Sequence, residues 1–91
     1  MTESITVLIV DDHAVVRQGV RGYLEAQPDI SITGEAASGE EAVRLAADQV
    51  PDVVLMDLLM PGMDGVEATR RVRRVSPRSQ VVVLTSYHED V

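Results

Sequence analysis

Val7-Leu8-Ile9-Val10-Asp11-Asp12 and Val53-Val54-Leu55-Met56-Asp57 decide the fold, because each is a short apolar run that ends abruptly in carboxylates. Runs of this length suit strands covered on both faces, and the amphipathic stretch between them supplies the crossover that a parallel pair needs. If the two strands lie side by side and parallel, their carboxyl ends bring Asp11, Asp12 and Asp57 into one crevice, where open α/β sheets bind ligands. Three like charges there repel, so a proton or a divalent cation must neutralise the cluster. Hard oxygen ligands of this kind suit Mg²⁺, which keeps several waters and is often shared with a phosphoryl group.

Apolar runs and amphipathic stretches alternate outward from this pair, the pattern of βαβ units on a parallel sheet. Strands are expected near Ile5 to Val10, Ile30 to Ala36, Val53 to Met56 and Val81 to Thr85. The first helix, roughly Val15 to Ala26, places Val16, Val20, Tyr23 and Leu24 on one face and ends before Pro28. The second opens at Ser38 with Glu41 at capping-box spacing and presents Ala42, Val43 and Ala46 inward. The third starts after Gly62 and stops before Pro77; Asp64 and Glu67 repeat the cap spacing, and Ala68, Val72 and Val75 follow at helical intervals.

With 91 residues the chain holds at most one domain, and its core must come from aliphatic residues, since Tyr23 and Tyr87 are the only aromatics. Cysteine is absent, which excludes disulfides and thiolate chemistry. No apolar run has membrane-spanning length and the first residues lack a signal-peptide pattern, so no membrane partner is expected and a cytoplasmic location is the default. A net charge of −7 disfavours nonspecific nucleic-acid binding by this segment. Near the end of the chain, Val81-Val82-Val83-Leu84 has the pattern of a strand covered on both faces, yet few residues follow it. A further strand and helix, or a second chain, are expected to cover it.

Ile9-Val10-Asp11-Asp12-His13, Leu55 through Gly65 and Val82-Val83-Leu84-Thr85 together resemble the receiver domain of bacterial two-component response regulators. Val16-Arg17-Gln18-Gly19-Val20-Arg21 with Leu24 is similar to the NarL/LuxR-type branch, and the likeness spans essentially the whole chain. It implies a doubly wound α/β fold of the flavodoxin or CheY type, strand order 2-1-3-4(-5), with the fifth strand and last helix not in this sequence. It makes Asp57 the phosphoacceptor for a sensor histidine kinase and Asp12 a direct Mg²⁺ ligand, with Asp11 acting largely through water. The Leu59 backbone carbonyl would complete the protein's share of the coordination, and Thr85 would be the hydroxyl that contacts the phosphoryl group. The chemistry suits in-line transfer, which needs a carboxylate nucleophile, charge neutralisation and a donor to the developing oxygens. Pro61 and Gly62 shape the adjoining loop, and Gly62 and Gly65 are expected to supply backbone freedom. Leu59 and Tyr87 occupy positions that tune water access, and their bulk implies slow acyl-phosphate hydrolysis. The same likeness implies homodimerisation on phosphorylation, or through the open sheet edge, and DNA binding by a C-terminal helix-turn-helix domain absent from this sequence.

Receivers of this type carry a lysine after their fifth strand and a switch aromatic on it; this chain has no lysine, and both positions lie past Val91. His13 is expected to be a helix-entry residue and His88 a solvated loop residue. Arg70, Arg71, Arg73, Arg74 and Arg78 are expected to form a solvated helix end. Two alternatives compete with the signalling module. A Mg²⁺-dependent phosphohydrolase would need a second carboxylate where Leu59 stands, and a fragment that only self-associates through its fourth strand would ignore a phosphodonor. Dinucleotide and P-loop chemistry lack their glycine motifs.

Overall fold

The computed structural model describes residues 4–84, in which strands and helices alternate. The order is β1 (Ile5–Val10), α1 (Ala14–Glu25), β2 (Ile30–Ala36), α2 (Gly39–Gln49), β3 (Val53–Asp57), α3 (Gly65–Val75) and β4 (Gln80–Leu84). All strand pairs are parallel, as the alternation implies, and the sheet order is β2-β1-β3-β4, the doubly wound arrangement that the resemblance implies. The order reverses between β1 and β3, which opens a crevice at their carboxyl ends.

Strand alternation sorts the side chains. Leu8 and Val10 of β1 and Val54 and Met56 of β3 join Ala42 and Ala46 of α2 and Ala68 and Val72 of α3 in one buried cluster. Val7 and Ile9, also buried, occupy the alternate positions of β1. Asp11 and Asp57 fall in the alternate rows too, following Ile9 and Leu55, so they lie on the opposite side from the α2–α3 core.

Both expected caps form. Ser38 Oγ accepts the Glu41 N–H at 3.2 Å, while Glu41 Oε1 accepts the Ala37 N–H at 2.8 Å. Asp64 Oδ1 accepts the Glu67 N–H at 2.8 Å, which starts α3 at Gly65 rather than directly after Gly62. Glu67 pairs with Arg70 and Arg71 instead of closing a box, and Arg73 and Arg74 sit in the last turn, where cations complement the helix dipole.

Two packing expectations need correction. No residue of α1 is buried: Val20 and Leu24 are half-buried, while Val16 and Tyr23 are exposed, because the helix packs mainly on β2 at one edge of the sheet. Val75, at the last turn of α3, is exposed rather than inward. β4 begins at Gln80, one residue before the expected start; among the described residues it is an edge strand with Val82, Val83 and Leu84 exposed, the uncovered apolar edge that the sequence pattern implies. Its anticipated last residue, Thr85, lies outside the described residues.

Candidate functional site

The register of β1 and β3 builds the site. Val10 stands opposite Met56, so the following positions, Asp11 just past β1 and Asp57 at the end of β3, lie side by side. The Asp11 N–H donates to the Ala36 carbonyl at 3.0 Å, which extends the β1–β2 pairing by one residue and holds Asp11 in place. Asp57 is 1% exposed and Asp11 6%; Asp12 is partly open to solvent. One ligating atom from each of Asp11, Asp12, His13 and Asp57 lies within 4.8 Å of all the others. The three carboxylates singled out in the sequence are therefore brought together.

The two oxygens of Asp57 differ. Oδ1 accepts the Leu59 N–H at 3.0 Å, a turn that carboxylates favour, and so fixes the carboxyl plane. Oδ2 is buried without a hydrogen-bond partner. A buried carboxylate oxygen with no donor is costly unless a cation or proton meets it. The donor set consists of hard oxygens with open lone pairs and fits a hard divalent cation held by Asp11, Asp12 and Asp57.

His13 occupies the N-cap position of α1, as a helix-entry residue should, but its ring makes no cap bond. It turns back onto the carboxylates instead. Nδ1 lies 3.0 Å from Asp11 Oδ1, which also accepts the His13 backbone N–H at 2.8 Å, and 3.1 Å from Asp12 Oδ1. The hydrogen bond to Asp11, reinforced by the charge of Asp12, raises the imidazole pKa above its ordinary value. The expectation of a simple helix-entry role thus missed its place in the cluster. The available signal was adjacency to Asp11 and Asp12 at a strand end.

Arg17 is a second residue that sequence reasoning left aside. Its Nη1 donates to the Asp11 carbonyl at 2.6 Å and its Nε to Glu35 Oε1 on β2 at 3.0 Å, while Arg21 Nη1 meets Glu35 Oε2 at 2.6 Å. The hydrogen bond from Arg21, supported by Arg17, holds the Glu35 carboxyl below the usual carboxylate range. This bridge ties α1 and β2 to the backbone of the site.

Leu59 is exposed beside Asp57, and Pro61 and Gly62 lie exposed in the loop that follows. Gly62 has φ +76°, so it supplies the freedom expected of it. Gly65 does not: it is a buried, right-handed helix-start residue, required because a Cβ would overlap the carbonyl oxygen of Asp57 and Cα of Leu58. Its service is close approach of α3 to the end of β3. Thr85 and Tyr87, expected to contact phosphoryl and to tune water access, lie outside the described residues, as does His88. A groove of about 450 Å³ along α3 and β4, lined by Thr69, Arg73, Ser79 and Val81 among others, contains no carboxylate or nucleophilic pair, unlike the acidic crevice.

A doubly wound parallel sheet with buried carboxylates at the switch between β1 and β3 defines a receiver-type signalling domain. Residues 7–91 match the response regulator receiver domain family, and the chain belongs to it. It is 54% identical over 86 residues to the transcriptional regulatory protein LiaR of Bacillus subtilis, covering 94% of this chain and 41% of that protein. It is 52% identical over 87 residues to the response regulator protein VraR of Staphylococcus aureus, covering 96% of this chain and 42% of VraR. The signal receiver domain of NarL from Mycobacterium tuberculosis superposes with a TM-score of 0.87 at 34% identity, covering 96% of this chain and 70% of that one. These similarities place the chain in the NarL/LuxR-type branch, and it spans about two-fifths of the length of the curated relatives it matches. Among the described residues no helix is long and apolar enough to cross a membrane.

Proposed function

We propose that this receiver domain is phosphorylated on Asp57 by a sensor histidine kinase, with Mg²⁺ held by Asp11, Asp12, Asp57 and the Leu59 carbonyl. The observation that carries this is the Asp57 carboxyl, 1% exposed, anchored through Oδ1 and with Oδ2 unpartnered beside two further carboxylates. Anchoring one oxygen orients the other for in-line attack, so the nucleophile needs no reorganisation. The Oδ2–phosphorus bond forms as the bond from phosphorus to the donor nitrogen breaks, and the electron pair leaves with the donor imidazole. Mg²⁺ held by these residues would supply charge neutralisation for the phosphoryl group. Arg17, on the Asp11 carbonyl, and the His13 backbone N–H, on Asp11 Oδ1, hold Asp11 at the crevice, and Thr85 would donate its hydroxyl to a phosphoryl oxygen.

The phosphorylated state would bias a two-state element near Thr85. Its output is homodimerisation and, through a C-terminal domain outside this sequence, DNA binding in the cytoplasm. The open apolar edge of β4 is then covered by further chain or by a second copy. The domain assists only its own phosphorylation and dephosphorylation, because exposed Leu59 stands where a phosphohydrolase would need a second carboxylate. The test is intact-mass spectrometry after incubation with acetyl phosphate and Mg²⁺. One phosphoryl adduct is expected, absent from Asp57→Asn; an adduct that persists in Asp57→Asn would assign the acceptor elsewhere.

A further inference from the structure

A crevice built for Mg²⁺ alone needs only oxygen ligands and water, yet a nitrogen donor stands in this one. His13 Nδ1 lies 3.0 Å from Asp11 Oδ1 and 3.1 Å from Asp12 Oδ1. One ligating atom from each of Asp11, Asp12, His13 and Asp57 lies within 4.8 Å of the rest. An octahedral ion with ligands at about 2.1 Å sets neighbouring ligands about 3.0 Å apart and opposite ones about 4.2 Å apart, so this spacing accommodates one shared ion after shifts of a few tenths of an ångström. Independently, the buried Asp57 carboxyl leaves Oδ2 without a partner.

We propose that His13 is a metal ligand through Nδ1, and that it makes the crevice a mixed nitrogen and oxygen site that takes borderline first-row ions such as Co²⁺ and Zn²⁺ in competition with Mg²⁺. Imidazole suits these ions, while carboxylate and water alone suit Mg²⁺. The position is prepared by the backbone. The His13 N–H donates to Asp11 Oδ1 at 2.8 Å and its carbonyl accepts the Arg17 N–H at 3.0 Å, so only the ring must turn to meet an ion. The side chain is 58% exposed, so exchanging its bond to Asp11 for a bond to metal buries little and leaves Asp11 Oδ1 with the backbone N–H as its donor. The proposal rests on the Mg²⁺ reading of the crevice and adds to it a residue that sets ion preference.

The experiment titrates the untagged chain with Mg²⁺ and, separately, with Co²⁺ by calorimetry, for the parent, His13→Ala, His13→Asn and His88→Gln. His13→Asn retains a favoured helix N-cap, so its behaviour separates ligand loss from helix loss. Both His13 variants should weaken Co²⁺ about tenfold or more while changing Mg²⁺ less than about threefold, and His88→Gln should change neither. The Co²⁺ complex should also show a hyperfine-shifted imidazole proton that disappears in both His13 variants and persists in His88→Gln. Unchanged Co²⁺ affinity in the His13 variants, equal losses for both ions, or survival of that resonance would overturn the proposal while leaving Mg²⁺ binding intact. Failure of the parent chain to bind Mg²⁺ would instead overturn the reading on which it rests.

Discussion

Gly65→Ala is expected to lower stability and slow phosphorylation together, because the added methyl group has no room. A Cβ at Gly65 would overlap the Asp57 carbonyl oxygen and the Leu58 Cα, both backbone atoms that cannot rotate away, and the Gly65 N–H is itself bonded to the Leu58 carbonyl at 3.2 Å. The start of α3 and the end of β3 must then separate by about 1 Å, an overpacking cost of about 1–3 kcal/mol. Alanine recovers about 0.5–1 kcal/mol of that as a better helix former. The net loss is up to about 2.5 kcal/mol, which for a domain of this size lowers Tm by up to roughly 20 °C. The same displacement moves the nucleophilic carboxylate, and a 1 Å misplacement can cost about 100-fold in rate. Gly22→Ala is the internal control. Gly22 lies in α1, where an added methyl group would meet nothing within 4 Å, so that change should stabilise by about 0.5–1 kcal/mol and leave phosphorylation alone. Thermal unfolding by circular dichroism and the rate of acetyl phosphate labelling measure both effects. If Gly65→Ala is as stable as Gly22→Ala and labels at the parent rate, close approach is not what requires this glycine.

Three further outcomes follow from named features. Val50, the half-exposed C-cap of α2, adopts φ 46°, which a β-branched residue resists; Val50→Asn should raise stability by about 1 kcal/mol in urea unfolding, and a loss would contradict the strain. The Thr6 backbone N–H, and then its hydroxyl, holds the Asp52 carboxyl below its ordinary value. A depressed folded pKa contributes stability that is present above the unfolded value, near 3.8, and lost as pH falls through the lower folded value. The Tm gap between the parent and Asp52→Asn should therefore hold from pH 7 down to about 4 and close below it, whereas a gap independent of pH would exclude the ionised carboxylate as its source. Leu59→Asn, which replaces an exposed apolar group beside Asp57 with one that can position water, should shorten the acyl-phosphate half-life, read by the decay of the mass adduct; an unchanged half-life would remove Leu59 from access control.

The sequence alone determined the parallel α/β plan, the placing of Asp11, Asp12 and Asp57 at strand ends, and the caps at Ser38 and Asp64. These depend on neighbours along the chain: apolar runs of strand length, helical spacing between them, and a carboxylate or hydroxyl three residues before the amide it caps. Tertiary structure alone decided the rest. Whether Gly65 serves flexibility or close approach depends on how α3 docks against the end of β3, and a local pattern carries no such distance. The bridge from Arg17 to Glu35 and the Asp11 carbonyl exists because α1 crosses β2 at one particular place. The exposure of Tyr23 and Val16 reflects the helix's seat at the sheet edge, which periodicity cannot specify. His13 lies between the two cases: its position beside two aspartates was legible, but its ring direction follows from β1 holding Asp11 rigidly enough to accept both its N–H and its imidazole.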